Sequence, residues 1–162
     1  MPHLSVVKRA VALSVCVLGL VYAGAITAMQ GVMVHNANAR ATFAMATTGA
    51  VYFTVMNHSE RAVTLTGVSV DSAVAAEAQL HTTVMEGDMM KMRQMTDGIE
   101  IAPGDMVEFK SGSYHVMLLG LTKPLNEGTT FDITLTFVNQ PPIITTVTVG
   151  KGGSEQSHHH HE

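Results

Sequence analysis

The sequence predicts an all-β fold, a sandwich or barrel. Short segments rich in β-branched residues recur along the chain, and several alternate apolar and polar residues with period two. Clusters of Gly, Pro, Asn and Ser separate them, as turns would.

The first such segment, Val51-Tyr52-Phe53-Thr54-Val55, stops at the turn signal Asn57-His58-Ser59. In Val63-Thr64-Leu65-Thr66 the two apolar residues share one face. After Gly67 the phase flips to Val68 and Val70, and a glycine where alternation slips predicts a bulge. Asp71-Ser72-Ala73-Val74-Ala75-Ala76-Glu77 is the one candidate for a short helix, with Asp71 placed to cap it. Ala78-Gln79-Leu80-His81 reads as a strand ending at His81, with Met85 in the loop beyond. If the Met-rich segment that follows is a strand, Met90, Met92 and Gln94 share one face, and Lys91, Arg93 and Met95 the other. Residues 106–109 follow the turn Pro103-Gly104-Asp105, and residues 115–119 follow Ser111-Gly112-Ser113. Residues 131–137 alternate cleanly, and residues 143–149 do so more loosely after Pro141-Pro142.

Three regions are expected. Lys8 and Arg9 precede an uncharged run over residues 10–29 with an Ala23-Gly24-Ala25 exit, so residues 1–28 read as a signal peptide. An uncleaved N-terminal anchor is the alternative, since the run is about long enough to span a bilayer. Either way the remainder is expected outside the cytoplasm. Residues 29–150 form a single β domain. Residues 151–162 form a flexible tail ending in His158, His159, His160 and His161, read as a native metal-collecting tail rather than a tag.

Composition removes several functions. Cys16 is the only cysteine and lies in the apolar run. Val15 before it is not the small residue that a lipidation site needs. The β domain therefore has no thiol for a disulfide, a nucleophile, thiol exchange or a blue-copper centre. Without Lys8 and Arg9 the net charge is about −6, with no basic patch, which argues against nucleic acid as a partner. No Ser-His-Asp order, carboxylate pair or phosphate-cradling glycine loop stands out, so the chain is not expected to be an enzyme.

What remains is soft-ligand chemistry. Seven of the 12 methionines lie between His81 and Met117. His81 is followed after ten residues by Met92, and later by His115-Val116-Met117. In a strand, His115 and Met117 point to the same side and Val116 into the core. Imidazole and thioether together select Cu(I) over hard cations. Met85, Met89, Met90, Met95 and Met106 read as packing or a soft rim. His35 and His58 have no partner nearby in sequence.

This pattern resembles the PCuAC family of periplasmic copper chaperones, marked by His, about ten residues, Met, about twenty-one residues, then His-x-Met. The second gap here is one residue longer, which a turn or bulge can absorb. Similar segments run in the family's order: Ala39-Arg40-Ala41-Thr42, Val51-Tyr52-Phe53-Thr54-Val55-Met56-Asn57, Met90-Lys91-Met92-Arg93, His115-Val116-Met117-Leu118-Leu119-Gly120-Leu121 and Leu135-Thr136-Phe137. The resemblance implies a cupredoxin-like Greek-key barrel or sandwich and a Cu(I) site at His81, Met92, His115 and Met117. It also implies a periplasmic protein that delivers copper to the Cu-A centre in subunit II of cytochrome c oxidase, directly or with a Sco-type protein; a soluble monomer is expected. The alternative is copper storage or resistance, with the tail collecting Cu(II). A third reading is a structural β-sandwich whose methionines only pack.

Overall fold

Ten strands and no helix make up residues 31–151, which are the residues that the computed structural model describes. The expected signal peptide, Cys16 and the histidines of the tail lie outside the described residues. In chain order the strands are β1 (Val32–Arg40), β2 (Thr48–Asn57), β3 (Val63–Val70), β4 (Ala75–Glu86) and β5 (Met89–Gln94). They continue with β6 (Ile99–Ile101), β7 (Met106–Phe109), β8 (His115–Leu121), β9 (Thr130–Phe137) and β10 (Ile143–Gly150).

Hydrogen bonding links them in the order β5-β4-β8-β2-β1-β10-β9-β3-β6, with β7 also on β2. Only β1 and β10 pair in parallel. One edge of β2 pairs β1, while the other is shared by β8 along its first half and β7 along its second. β3 and β4, far apart along this path, contact each other, so the sheet folds over on itself and encloses the core.

Period-two alternation decides what enters that core. Val51, Phe53 and Val55 of β2 are buried, as are Val116 and Leu118 of β8 and Ile133, Leu135 and Phe137 of β9. Phe53 lies opposite Phe109, their rings stacked with centroids 4.2 Å apart. The slip expected at Gly67 is present as a register shift between Leu65 and Gly67.

Three local expectations are corrected. Residues 71–77 form no helix. The Asp71 carboxylate accepts from the Ala73 N–H at 2.7 Å, and its carbonyl accepts from the Val74 and Ala75 N–H groups. After this single turn Ala75 enters β4 and pairs with Leu121. A helix so short cannot repay its nucleation, whereas a strand gains a ladder of β8 hydrogen bonds. That same strand runs through His81 to Glu86, so His81 is central and Met85 is strand, not loop. β1 and β6 give little sequence signal. β1 contains His35 and three polar or small residues in Asn36-Ala37-Asn38, and Asn36 takes φ +55° at a register slip. Its pairing on both edges holds it extended.

Candidate metal centre

His81 and His115 stand directly opposite each other on β4 and β8, their ring centroids 5.9 Å apart. Leu80 pairs with Val116 on the core side, which turns both histidines to the outer face of the sheet. On that face Met117 lies opposite Gln79 and Ala50, and Met92 lies opposite Thr83. All four sequence-predicted residues therefore share one face. Met92, His115 and Met117 line a small concavity of about 60 Å³ with Ala50, Tyr52, Thr83 and the Ser111-Gly112 turn. His115 is nearly buried, at 4 % exposure, whereas Met92 is 63 % exposed, so the concavity has a closed floor and an open rim.

Hydrogen bonds fix which nitrogen of each ring faces inward. Nδ1 of His115 is 2.9 Å from the Ser113 carbonyl. A carbonyl only accepts, so His115 carries its proton on Nδ1 and leaves the Nε2 lone pair free. His81 is the mirror case. Its Nε2–H donates to Gln79 Oε1 at 2.9 Å, and the Gln79 amide nitrogen donates to Glu77 Oε1 at 2.7 Å. The remaining nitrogens, His81 Nδ1 and His115 Nε2, are both buried without a hydrogen-bond partner in the protein. Leaving buried polar atoms unpaired costs stability, and such atoms call for an explanation.

A metal ion supplies one. Metal–imidazole bonds of about 2 Å put ring centres at most about 6 Å apart when two rings share one ion. The observed centroid separation meets that limit. Burial, and secondarily the charge of His115, hold the His81 imidazole below its ordinary pKa of 6.5, which favours the neutral, ligating form. Among the described residues no three His, Cys, Asp or Glu side chains come together, and the thioethers of Met92 and Met117 line the same concavity as His115.

The ordering residues Glu77, Gln79 and Ser113 were not singled out from sequence. Glu77-Ala78-Gln79-Leu80-His81 does alternate, so strand geometry could have put the three polar residues on one face. The other histidines are elsewhere: His35 lies on β1 opposite Thr54, and His58 follows β2 in an exposed turn. A larger groove of about 400 Å³, between residues 59–64 and 138–140, contains neither histidine nor methionine.

Residues 32–149 match the family model described as "Putative lipoprotein LpqE-like". The "Putative lipoprotein Lxx21020" of Leifsonia xyli subsp. xyli (strain CTCB07) is 34% identical over 70 residues, 43% of this chain and 42% of that protein. The chain spans about half the length of the curated relatives it matches. Among solved structures, the copper-bound PCuAC domain from PmoF2 is 23% identical with a TM-score of 0.59, over 74% of this chain and 92% of that one. The solution structure of CuI-DR1885 from Deinococcus radiodurans is 29% identical with a TM-score of 0.58, over 79% and 83%. The architecture is thus the cupredoxin-like one of PCuAC domains.

Proposed function

The chain belongs to the LpqE-like family, which is PCuAC-related, and from that premise we propose that it is a copper chaperone that carries Cu(I) on His81, Met92, His115 and Met117. The observation that carries the reading is the pair of buried, unpartnered imidazole nitrogens beside two thioethers on one sheet face. Relatives in fold support the metal: one is described as copper-bound and another as the Cu(I) form.

The ligand chemistry suits transport. Two neutral imidazoles and two thioethers leave the site with the charge of the ion alone, and they discriminate against hard cations. No proton has to leave a thiol for the ion to bind. A partner with thiolates binds Cu(I) more tightly and draws it off, and the exposed Met92 gives that partner a side to approach from. The Cu-A centre in subunit II of cytochrome c oxidase and Sco-type proteins are acceptors of this kind. The proposed setting is periplasmic. No helix among the described residues is long and apolar enough to cross a membrane. Val15 before the single cysteine is not the small residue that a lipidation site needs, so a lipid anchor is not part of the proposal.

Replacing His115 by Ala or Met117 by Leu should lower Cu(I) affinity at least about tenfold, read by competition with a Cu(I) chelator. Near-UV and far-UV spectra should stay close to those of the parent. Unchanged affinity in both variants would remove the four-ligand site. Storage with Cu(II) on His158 to His161 is the second reading, favoured by the terminal histidine run in the sequence. Deleting residues 151–162 should then abolish Cu(II) binding and spare Cu(I).

A further inference from the structure

A second group of soft donors assembles elsewhere on the same outer face. Met33 of β1 lies directly opposite Met56 of β2, and Met56 lies directly opposite Met106 of β7. The three thus form one row across three neighbouring strands. Two rungs along β1, His35 pairs with Thr54, so it stands diagonal to Met56 and on the same side as Met33. Neighbouring rungs Val34–Val55 and Val55–Val107 belong to the core side, where Val55 is fully buried. The methionine row therefore faces away from the core, with Met106 59 % exposed.

Strand formation does not account for this row. Met33, His35 and Met56 are half-buried and Met106 is exposed, and half-buried sheet positions favour β-branched or aromatic residues over methionine. These donors come from residues 33–35, 56 and 106, which only the tertiary structure brings together. The reach is sufficient. Flanking strands lie about 10 Å apart across a central one, and a thioether at the end of each flexible side chain can meet one ion above Met56. Glu108, on the same face of β7, forms a surface ion pair with Lys110 at 2.7 Å, and its hard carboxylate suits a soft ion less well than the imidazole and thioethers of this patch.

We propose that Met33, His35, Met56 and Met106 form a second site for a monovalent soft metal ion, Cu(I) under the reading above. On β2, Met56 is six residues from Ala50 at the first site, about 20 Å along the strand. The two sites share no ligand, so each can be filled or emptied alone. The identity of the metal rests on the proposed function; the existence of the site does not.

The test uses the full chain with methyl-labelled methionine and Ag(I), a redox-inert stand-in for Cu(I), read by NMR. Titration past one equivalent should shift the methyl signals of Met33, Met56 and Met106 and the ring signals of His35. In Met56→Leu the shifts of Met33, Met106 and His35 should need at least tenfold more Ag(I), while the ring signals of His81 and His115 respond as before. A chain with Met56 intact that carries His115→Ala and Met117→Leu should keep the Met33–Met56–Met106 response. The proposal is overturned if these three methyls move no more than that of Met45, which is 84 % exposed and serves as a solvent-accessible control. It is equally overturned if the second equivalent goes instead to the exposed Met85 and Met90 of the β4–β5 hairpin. Failure of the first reading has a different signature: His81 and His115 stay silent whatever the second site does.

Discussion

Gln79 offers a soft metal nothing, yet it determines which nitrogen of His81 is left without a hydrogen bond. Its amide oxygen accepts a hydrogen bond from the Nε2–H, and Glu77 holds that amide in place from the other side. Outer partners of this kind are worth tenfold to a hundredfold in metal affinity where they have been removed from metal sites. Gln79→Leu is therefore expected to lower Cu(I) affinity about tenfold and to mix the two tautomers of His81, visible in its ring nitrogen shifts without metal. Gln79→Glu keeps an acceptor at that place and should restore the single tautomer. Identical ring shifts in parent and Gln79→Leu would show that Gln79 only packs. The depressed His81 pKa has its own consequence for the metal-free protein. The unfolded chain titrates near 6.5, so between that value and the lowered folded one it binds more protons than the folded chain. Stability should fall as pH drops below about 6.5 and level off above it. His81→Ala should weaken this acid dependence, measured as denaturation midpoints at several pH values; equal slopes would contradict it. The residue types and spacing of the proposed ligands were legible in the sequence, because chemistry and spacing are local properties. The tautomers were not, because they depend on where a carbonyl and an amide come to rest.

At the level of elements, the β4–β8 ladder does most of the positioning. It sets His81 against His115 and Gln79 against Met117 in one register, and a slip by one residue would send the histidines into the core. Gly120 closes this ladder near its far end. It has φ +65°, and a Cβ there would lie 2.9 Å from the Cβ of Ala76. Gly120→Ala should cost roughly 1–3 kcal/mol from left-handed strain together with the close contact. Urea denaturation checks this, and a loss under about half a kcal/mol would mean that the ladder yields there at little cost. Strands with clear alternation, such as β9, could be read from the sequence because one of their faces is buried. β1 could not, since its Asn-rich centre follows no period and it is held by neighbours on both edges. The residues before β4 misled in the opposite direction: a run of alanines suits a helix until a partner strand is available.

For the whole molecule, Asn57 ties the end of β2 to the chain around β6 and β7. It is 1 % exposed. Its amide nitrogen donates to the carbonyls of Arg61, Ile101 and Ala102, and its oxygen accepts from Ser59. Gly104 and Asp105 bond its backbone. Asn57→Ala strands buried carbonyls and should cost about 2 kcal/mol, with the loss seen in thermal or denaturant unfolding. Binding at the first site should be spared, since that site borders the other half of β2; a matching loss of Cu(I) affinity would show that the two ends are coupled. In the sequence Asn57 is only a turn residue, and its role as a tie emerges when the distant carbonyls of Ile101 and Ala102 arrive around it.

The sequence by itself determined the all-β class and most strands, through alternation and turn residues. It also determined a soft donor set without a thiol, because ligand type is fixed by residue type. The face that carries the proposed donors was decided by the tertiary structure. Register across β4 and β8 set two histidines together, and register across β1, β2 and β7 set His35, which looked solitary, among three methionines. The physical reason is that strand pairing joins residues irrespective of their distance along the chain, and a metal site is a statement about distance in space.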